Sequence, residues 1–251
     1  VRGVYIPIEI KPGTLGPALE SLPKLGFKGV NLTMPLKQEA IATVDELDPV
    51  GKLMGAVSCI VVRRDNSLLG VNNDWIGFRD NLNATFPGWK STTQSALVLG
   101  AGGGGLAIVY ALVQEGLKEI VITNRSQERA EQIADIFKHQ NIIVRPWSDR
   151  HSLVAESELI VNTTNQGMAG QTPLDLSLKL AKLDAIVADI IYVPLETALI
   201  RDAKSRGLRT VGGLGMLLHQ SRPAWQLWFG IDPQITDHLR SAMEQDINSD
   251  V

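Results

Sequence analysis

From Ser95 onward, short apolar runs alternate with stretches in which apolar residues recur every three or four positions. That alternation is the signature of parallel strands joined by helices that cover them. Ser95–Leu99 is apolar enough for a strand buried on both faces. After a run of glycines, Leu106, Val109, Tyr110 and Val113 fall on one helical face, and Gly116 is placed to end that helix. Residues 120–123 form the next strand. Ala130, Ile133, Ala134 and Phe137 repeat the helical spacing, and residues 142–144, 159–161 and 186–191 supply further strands. The expected class is α/β, with a doubly wound, Rossmann-type unit in the middle of the chain.

Upstream, residues 4–10 and 29–32 read as strands, with a helix over 15–25 between them and another after Pro35. Residues 56–62 and 68–71 read as a hairpin or as two edge strands. Pro87-Gly88 and the polar stretch 90–94 break the pattern, so a boundary is expected between Asp74 and Ser95. The expected organisation is a smaller α/β domain over 1–83, the doubly wound domain over 84–212, and helices over 213–251 that return to the first domain. Pro223 is expected to kink those helices or start a new turn, and the polar residues 244–251 to fray. The chain opens on Val1 rather than Met and enters an apolar run at once, which reads as a missing N-terminal segment.

Composition narrows the function classes. With 251 residues, 44% of them apolar, the chain has enough to bury one large core or two smaller ones. A formal net charge of −3 and a pI near 5.8, with no dense basic run, give no electrostatic reason to expect nucleic acid or an anionic membrane. A small solute is the expected partner, and a monomer or homodimer the expected state. No apolar stretch reaches membrane-spanning length. A single cysteine, Cys59, and the absence of any CxxC pair or histidine cluster point to a reducing, cytoplasmic setting without a metal site.

The segment Leu99-Gly100-Ala101-Gly102-Gly103-Gly104-Gly105 sets GxGxxG between an expected strand and an expected helix. Glycines there let backbone N–H groups approach a pyrophosphate at the helix N-terminus, so Gly100, Ala101, Gly102, Gly103 and Gly104 are candidate dinucleotide contacts. A site for NAD usually carries an acid about 20 residues further on, against the ribose 2′-hydroxyl. Here that strand ends in Thr123-Asn124-Arg125-Ser126, with Arg129 a turn later. Two guanidinium groups in place of an acid favour NADP, whose 2′-phosphate they can grip. The bland alternative is that both arginines solvate a helix start.

A ketone that accepts hydride must also gain a proton, so a donor tuned toward neutrality is required. Lys37 follows Asn31-Leu32-Thr33-Met34-Pro35 at the end of an expected strand, and Asp74 closes Gly70-Val71-Asn72-Asn73 at the end of another. Singly, such residues are more often a solvated helix-start lysine and an N-cap aspartate. Taken with four further blocks in chain order they form a pattern. These are the Gly100 loop with Asn124-Arg125-Ser126, Asn162-Thr163-Thr164 with Gly167-Met168, Asp189-Ile190-Ile191-Tyr192 with Pro194 and Thr197, and Gly213-Leu214-Gly215-Met216 with Gln220. On these residues the chain resembles the shikimate dehydrogenase family.

The resemblance implies a two-domain enzyme, a Rossmann-type NADP-binding domain plus a smaller α/β substrate domain. It would interconvert 3-dehydroshikimate and shikimate with NADP, in aromatic amino acid biosynthesis. It implies Lys37 and Asp74 as the catalytic pair, and Thr33, Asp74, Tyr192 and Gln220 as substrate contacts, to which Ser58, a hydroxyl in the place of the family's amide, is added as a candidate. It adds Asn124, Arg125, Ser126, Arg129, Thr163, Ile190, Gly213 and Met216 to the cofactor contacts.

Several positions depart from the family's usual pattern. Its serine-bearing N-terminal segment is absent. Gly55-Ala56-Val57-Ser58-Cys59 stands where the family generally has Gly-Ala-Val-Asn-Thr, and Asn73 and Trp75 flank the aspartate in place of Thr and Gly. The lost amide at 58 and an indole at 75 that would narrow the pocket leave a quinate or modified-shikimate dehydrogenase as one alternative. A non-catalytic NADP-binding relative is another. Gly105 and Leu106 replace a small residue and an arginine, implying one phosphate contact fewer. Cys59 reads as a small buried residue, His219 as a core or rim histidine, and Trp225 and Trp228 as packing anchors.

Overall fold

The computed structural model describes residues 2–249. The chain folds as two compact units, Val1–Asn73 with Gln220–Gln234, and Asp74–His219 with Ile235–Val251.

In the first unit, β1 (Gly29–Asn31), β2 (Glu46–Leu47), β3 (Cys59–Val62) and β4 (Leu68–Val71) form a mixed sheet in the order β1-β3-β4-β2. β3 runs antiparallel to both neighbours, and β2 pairs parallel to β4. Residues 56–62 and 68–71 thus form the hairpin alternative, with Asn66 turning at φ 69°. One face packs on α1 (Leu15–Ser21), α2 (Leu36–Glu39) and the segment after it, through Leu15, Leu19, Leu22, Ala40, Val57, Ile60 and Leu68. α3 (Pro49–Met54) is entered by the Asp48 carboxylate, which accepts from Gly51 N at 2.7 Å, and left through Gly55 at φ 56°. The other face receives Ala224 and Trp228, whose indole donates to the Ile60 carbonyl at 2.9 Å. A Cβ on Gly29 would lie 2.0 Å from that indole nitrogen, so only glycine admits it.

The expected strand over residues 4–10 is absent. An apolar run is only half of what a strand needs, the other half being a neighbour with open backbone groups. Here Val4, Tyr5, Ile6 and Ile8 stay exposed, and the segment joins no ladder of the sheet. The helix expected over 15–25 stops at Ser21, two residues before Pro23.

The second unit begins with α4 (Asp74–Thr85), which packs on α5 (Gly103–Gln114). This helix has no clear periodic signal, and its packing places the boundary at Asn73/Asp74 rather than at 83/84. The parallel sheet comprises β5 (Ser95–Leu99), β6 (Glu119–Thr123), β7 (Ile142–Arg145), β8 (Leu159–Asn162), β9 (Ile186–Asp189) and β10 (Arg209–Val211). Its order, β10-β9-β8-β5-β6-β7, is that of the doubly wound dinucleotide fold. Residues of both parities on β5 and β8 are buried, since α4 and α5 lie on one side while α7 (Arg150–Leu153), α8 (Ala198–Ser205) and the 174–178 loop close the other. α6 (Gln127–Ile136) packs beside β6 and β7. α5 ends before Gly116 at φ 79°, as its spacing required.

α9 (Gly213–Phe229) runs through Pro223 as one helix, so the expected new turn does not occur; the proline has no N–H to offer the His219 carbonyl. Only its second half belongs to the first unit. α10 (Asp237–Ser249) belongs to the second, packing Ile247 near Leu214 and Leu218.

A buried carboxylate ties the ends of β8 and β9 together. Asp189 accepts from Asn162 Nδ2 at 3.1 Å, Ile191 N at 3.1 Å and Thr197 Oγ1 at 2.7 Å. Burial pushes its pKa up to about 6 against the pull of these three donors. A carboxyl raised in the folded state holds its proton longer there than in the unfolded chain. Stability from this group is therefore full below about pH 4, falls as pH rises through about 6, and is level above. From the ordinary 3.8 to about 6, at about 1.4 kcal/mol per pH unit, the loss is about 3 kcal/mol. Urea unfolding of the parent and of Asp189→Asn, compared from pH 4 to 7.5, should show the parent losing about that much relative to the variant; a constant difference refutes the account.

Candidate active site

The sequence-derived candidates divide between the two units, and each half is built separately. In the first unit, Lys37 lies half-buried on α2, whose carboxylate Glu39 accepts from Gly13 N and Leu15 N, both at 3.0 Å, and so caps the start of α1. The Lys37 carbonyl accepts from Val57 N at 2.8 Å, and Leu36 N donates to the Thr33 carbonyl at 2.9 Å. α2 is thereby fastened on both sides although it is one turn long. Thr33 is exposed at the end of β1.

Ser58 precedes β3 and joins three chain segments. Leu32 N donates to its carbonyl at 2.9 Å, its N–H donates to Val71 O at 2.9 Å, and its Oγ accepts from Asn73 N at 2.8 Å. Asn72 Nδ2 donates to Ala56 O at 3.0 Å. Ser58, Asn72, Asn73 and Asp74 are all under 9% exposed, a run of polar side chains at a strand end that otherwise buries only apolar ones. Sequence reasoning leaves Asn72 and Asn73 out of the substrate contacts, although both stand immediately before Asp74. Gln220 is half-buried on α9 within this unit. Cys59 is fully enclosed and burial pushes its thiol up to about 12, which leaves it inert.

In the second unit, the glycine loop divides by cause. Gly100 takes φ 111°, and a Cβ on it would lie 2.6 Å from Thr163 Oγ1. A Cβ on Gly105 would lie 2.4 Å from the Gly100 carbonyl oxygen, so glycine at 105 reflects close helix–strand packing, while Leu106, standing for an arginine, is buried. Gly102 and Gly103 are different: exposed, with nothing within 4 Å of a Cβ. No protein atom requires glycine there, and the start of α5 has no side-chain cap, an arrangement that suits a pyrophosphate approaching its N–H groups. The residues present fit a dinucleotide.

Around this loop, Asn124 Oδ1 accepts from Ala101 N at 3.2 Å while its Nδ2 donates to the Ser126 carbonyl at 2.8 Å, joining the loop to the end of β6. Arg125 and Arg129 are exposed and make no ion pair among the described residues. Thr163 donates to the Leu99 carbonyl at 2.9 Å. Ile190 N donates to Asn162 O at 3.2 Å, and its Cδ1 would lie 2.9 Å from a Cβ on Gly104. Gly213, which starts α9, would carry a Cβ 2.3 Å from Ile190 O, and Gly215 one 1.8 Å from Asn81 Oδ1. Both glycines therefore serve close approach of neighbouring groups. Met216 is half-buried on the next turn, and Tyr192 is 38% exposed.

Trp75 is engaged differently from expectation. Its indole meets Tyr110 edge-on at 5.1 Å and carries the Arg79 guanidinium 4.8 Å from its centroid, so it works as an α4–α5 packing group. His219 is buried on α9. Trp228 anchors as described, and Trp225 packs on Phe229 at 5.1 Å. Among the described residues no group of side chains could hold a metal ion, and no helix is long and apolar enough to cross a membrane.

Residues 1–60 match the family described as "Shikimate dehydrogenase substrate binding domain", and residues 83–185 the one described as "Shikimate / quinate 5-dehydrogenase". The chain is 42% identical over 246 residues to a shikimate dehydrogenase (NADP(+)) of Rhodospirillum rubrum, covering 97% of this chain and 87% of that protein. Among solved structures, shikimate 5-dehydrogenase of Thermus thermophilus in complex with NADP(H) and shikimate superposes with TM-score 0.78 at 32% identity, covering 96% of this chain and 86% of that one. Quinate dehydrogenase of Corynebacterium glutamicum in complex with NAD gives TM-score 0.83 at 27% identity over 96% and 84%. With two family matches in chain order and that identity over nearly all of both chains, this protein belongs to the shikimate dehydrogenase family.

Proposed function

We propose that this chain interconverts 3-dehydroshikimate and shikimate with NADP(H). The observation that carries the reading is a glycine loop, opening α5 after β5, that has no structural need of Gly102 and Gly103, in a chain that also sets Lys37 and Asp74 each on the first turn of the helix after a strand. Family relatives carrying the name shikimate dehydrogenase (NADP(+)) support the substrate and cofactor. When bound, the nicotinamide supplies the hydride.

The chain's own residues do the rest. Gly102–Gly104 N–H groups and the start of α5 hold the pyrophosphate, and Arg125 with Arg129 hold the 2′-phosphate by charge-assisted bonds. Thr163, Ile190, Gly213 and Met216 line the remaining cofactor path, with Asn124 and Ser126 setting the turn that presents Arg125. Thr33, Ser58, Tyr192 and Gln220 bind substrate hydroxyls or carboxylate. The Lys37 ammonium gives a proton to the oxygen that hydride addition leaves negative, with Asp74 as its partner in the chemistry; the reverse reaction returns the proton to Lys37. Carbonyl carbon gains hydride, oxygen gains the proton, and the two together make the alcohol.

Following NADPH absorbance with shikimate, quinate and 3-dehydroshikimate, each with either cofactor, tests the reading. Shikimate-dependent reduction of NADP+ is expected; cofactor binding without turnover of any of the three overturns it, and quinate preference replaces the substrate. Lys37→Ala should lower kcat by a hundredfold or more, roughly the contribution of a positioned acid. A rate within a few fold of the parent removes Lys37 from the chemistry. Arg125→Ala should raise KM for NADP+ about tenfold and leave NAD+ within twofold; equal weakening of both would remove its 2′-phosphate role.

A further inference from the structure

The end of β4 holds a side chain that the fold does not explain. Asn73 is 5% exposed, and its Nδ2 has no hydrogen-bond partner. Folded proteins rarely enclose an amide donor and leave it unmet, so such a group calls for a specific reason, and a functional role is one. The backbone of Asn73 is already fixed, its N–H donating to Ser58 Oγ at 2.8 Å. The adjacent Asn72 carboxamide is committed to Ala56 O at 3.0 Å. The donor left over in this corner is therefore that of Asn73.

Ser58 and Asn73 also carry two of the departures from the family's usual sequence, Ser for Asn and Asn for Thr. Considered together they form one exchange. The corner keeps one carboxamide and one hydroxyl but swaps their positions, and the 2.8 Å contact between the two residues makes the swap local.

We propose that Asn73 is a specificity-determining residue, its Nδ2 donating to a ring hydroxyl of the bound hydroxylated cyclic acid in place of an amide at position 58. Chain position selects the group. Asp74 follows directly, so a carboxylate brought to Asn73 would face a like charge, whereas a neutral hydroxyl oxygen accepts from the amide without that penalty. χ2 of Asn is broad and two-fold, so the amide has freedom to reorient its donor. This inference rests on the shikimate reading above.

Asn73→Leu keeps the side-chain size and deletes the donor. With shikimate and NADP+, KM for shikimate should rise about tenfold or more while kcat stays within threefold and KM for NADP+ within twofold. The ligand-free Tm should be unchanged or higher, because no enclosed amide then needs a partner. A structural asparagine would behave in the opposite way, with Tm falling and KM unmoved. As a second variant that restores a hydroxyl, Asn73→Thr should raise KM comparably, and adding Ser58→Asn should bring it back to within threefold of the parent.

A KM for shikimate within twofold of the parent in both single variants overturns the inference and leaves the shikimate reading intact. A parent that neither binds shikimate by titration calorimetry nor turns it over overturns that reading, and this inference falls with it.

Discussion

Where β5 ends, the backbone has no room for side chains, and the rest of the second unit is arranged around that crowding. Gly100 and Gly105 close on each other and on Thr163 at distances that no Cβ tolerates. Main chain from β5, α5 and β8 therefore meets directly, and the loop between them has a single path. The next N–H groups in sequence, at Gly102 and Gly103, are left open to solvent at the start of a helix. The same closeness continues across the sheet. Asn162, one residue before Thr163, holds Asp189; Asp189 holds the N–H of Ile191; and Gly213 packs on the carbonyls of Ile190 and Ile191. Four strand ends are fixed by backbone contact and one buried carboxylate.

Polar groups thus gather at strand C-termini for two different reasons. Some are consumed by the fold: Asn162, Asp189 and Thr197 satisfy one another and leave little for a ligand. Others, such as Asn73, are enclosed without being satisfied. The distinction is invisible in a residue's type or burial and appears only when its hydrogen bonds are followed one by one. It separates polar groups that the fold consumes from those that it leaves unmet.

The sequence was legible where burial is two-sided. β5, β6, β8 and β9 are nearly continuous apolar runs because helices cover both faces, and the order of elements then left little choice of topology. Legibility failed where a second partner decides. Residues 4–10 have a strand's composition but no ladder, and α4 has a helix's geometry without a strong apolar stripe, since its buried face includes Asp74, Gly77 and Asn81. Gly105, Gly213 and Gly215 were readable as motif letters, but their cause, a neighbouring atom about 2 Å from a would-be Cβ, cannot be read from the motif itself. The Asp189 network lay hidden because its members are separated by up to 35 residues and nothing in spacing alone pairs them.

Cys59 is the chain's single cysteine, the first residue of β3, enclosed in a cluster with Val61, Val71, Ala224 and Trp228, with its thiolate disfavoured by burial. A thiol in that position is blind to alkylating reagents for as long as the sheet around it stays closed, and reacts as soon as it opens. The protein therefore carries an intrinsic clock on the first unit. The rate of labelling at that one atom reports openings of the sheet or of the α9 segment that covers it, and the chain has no second cysteine to add a signal.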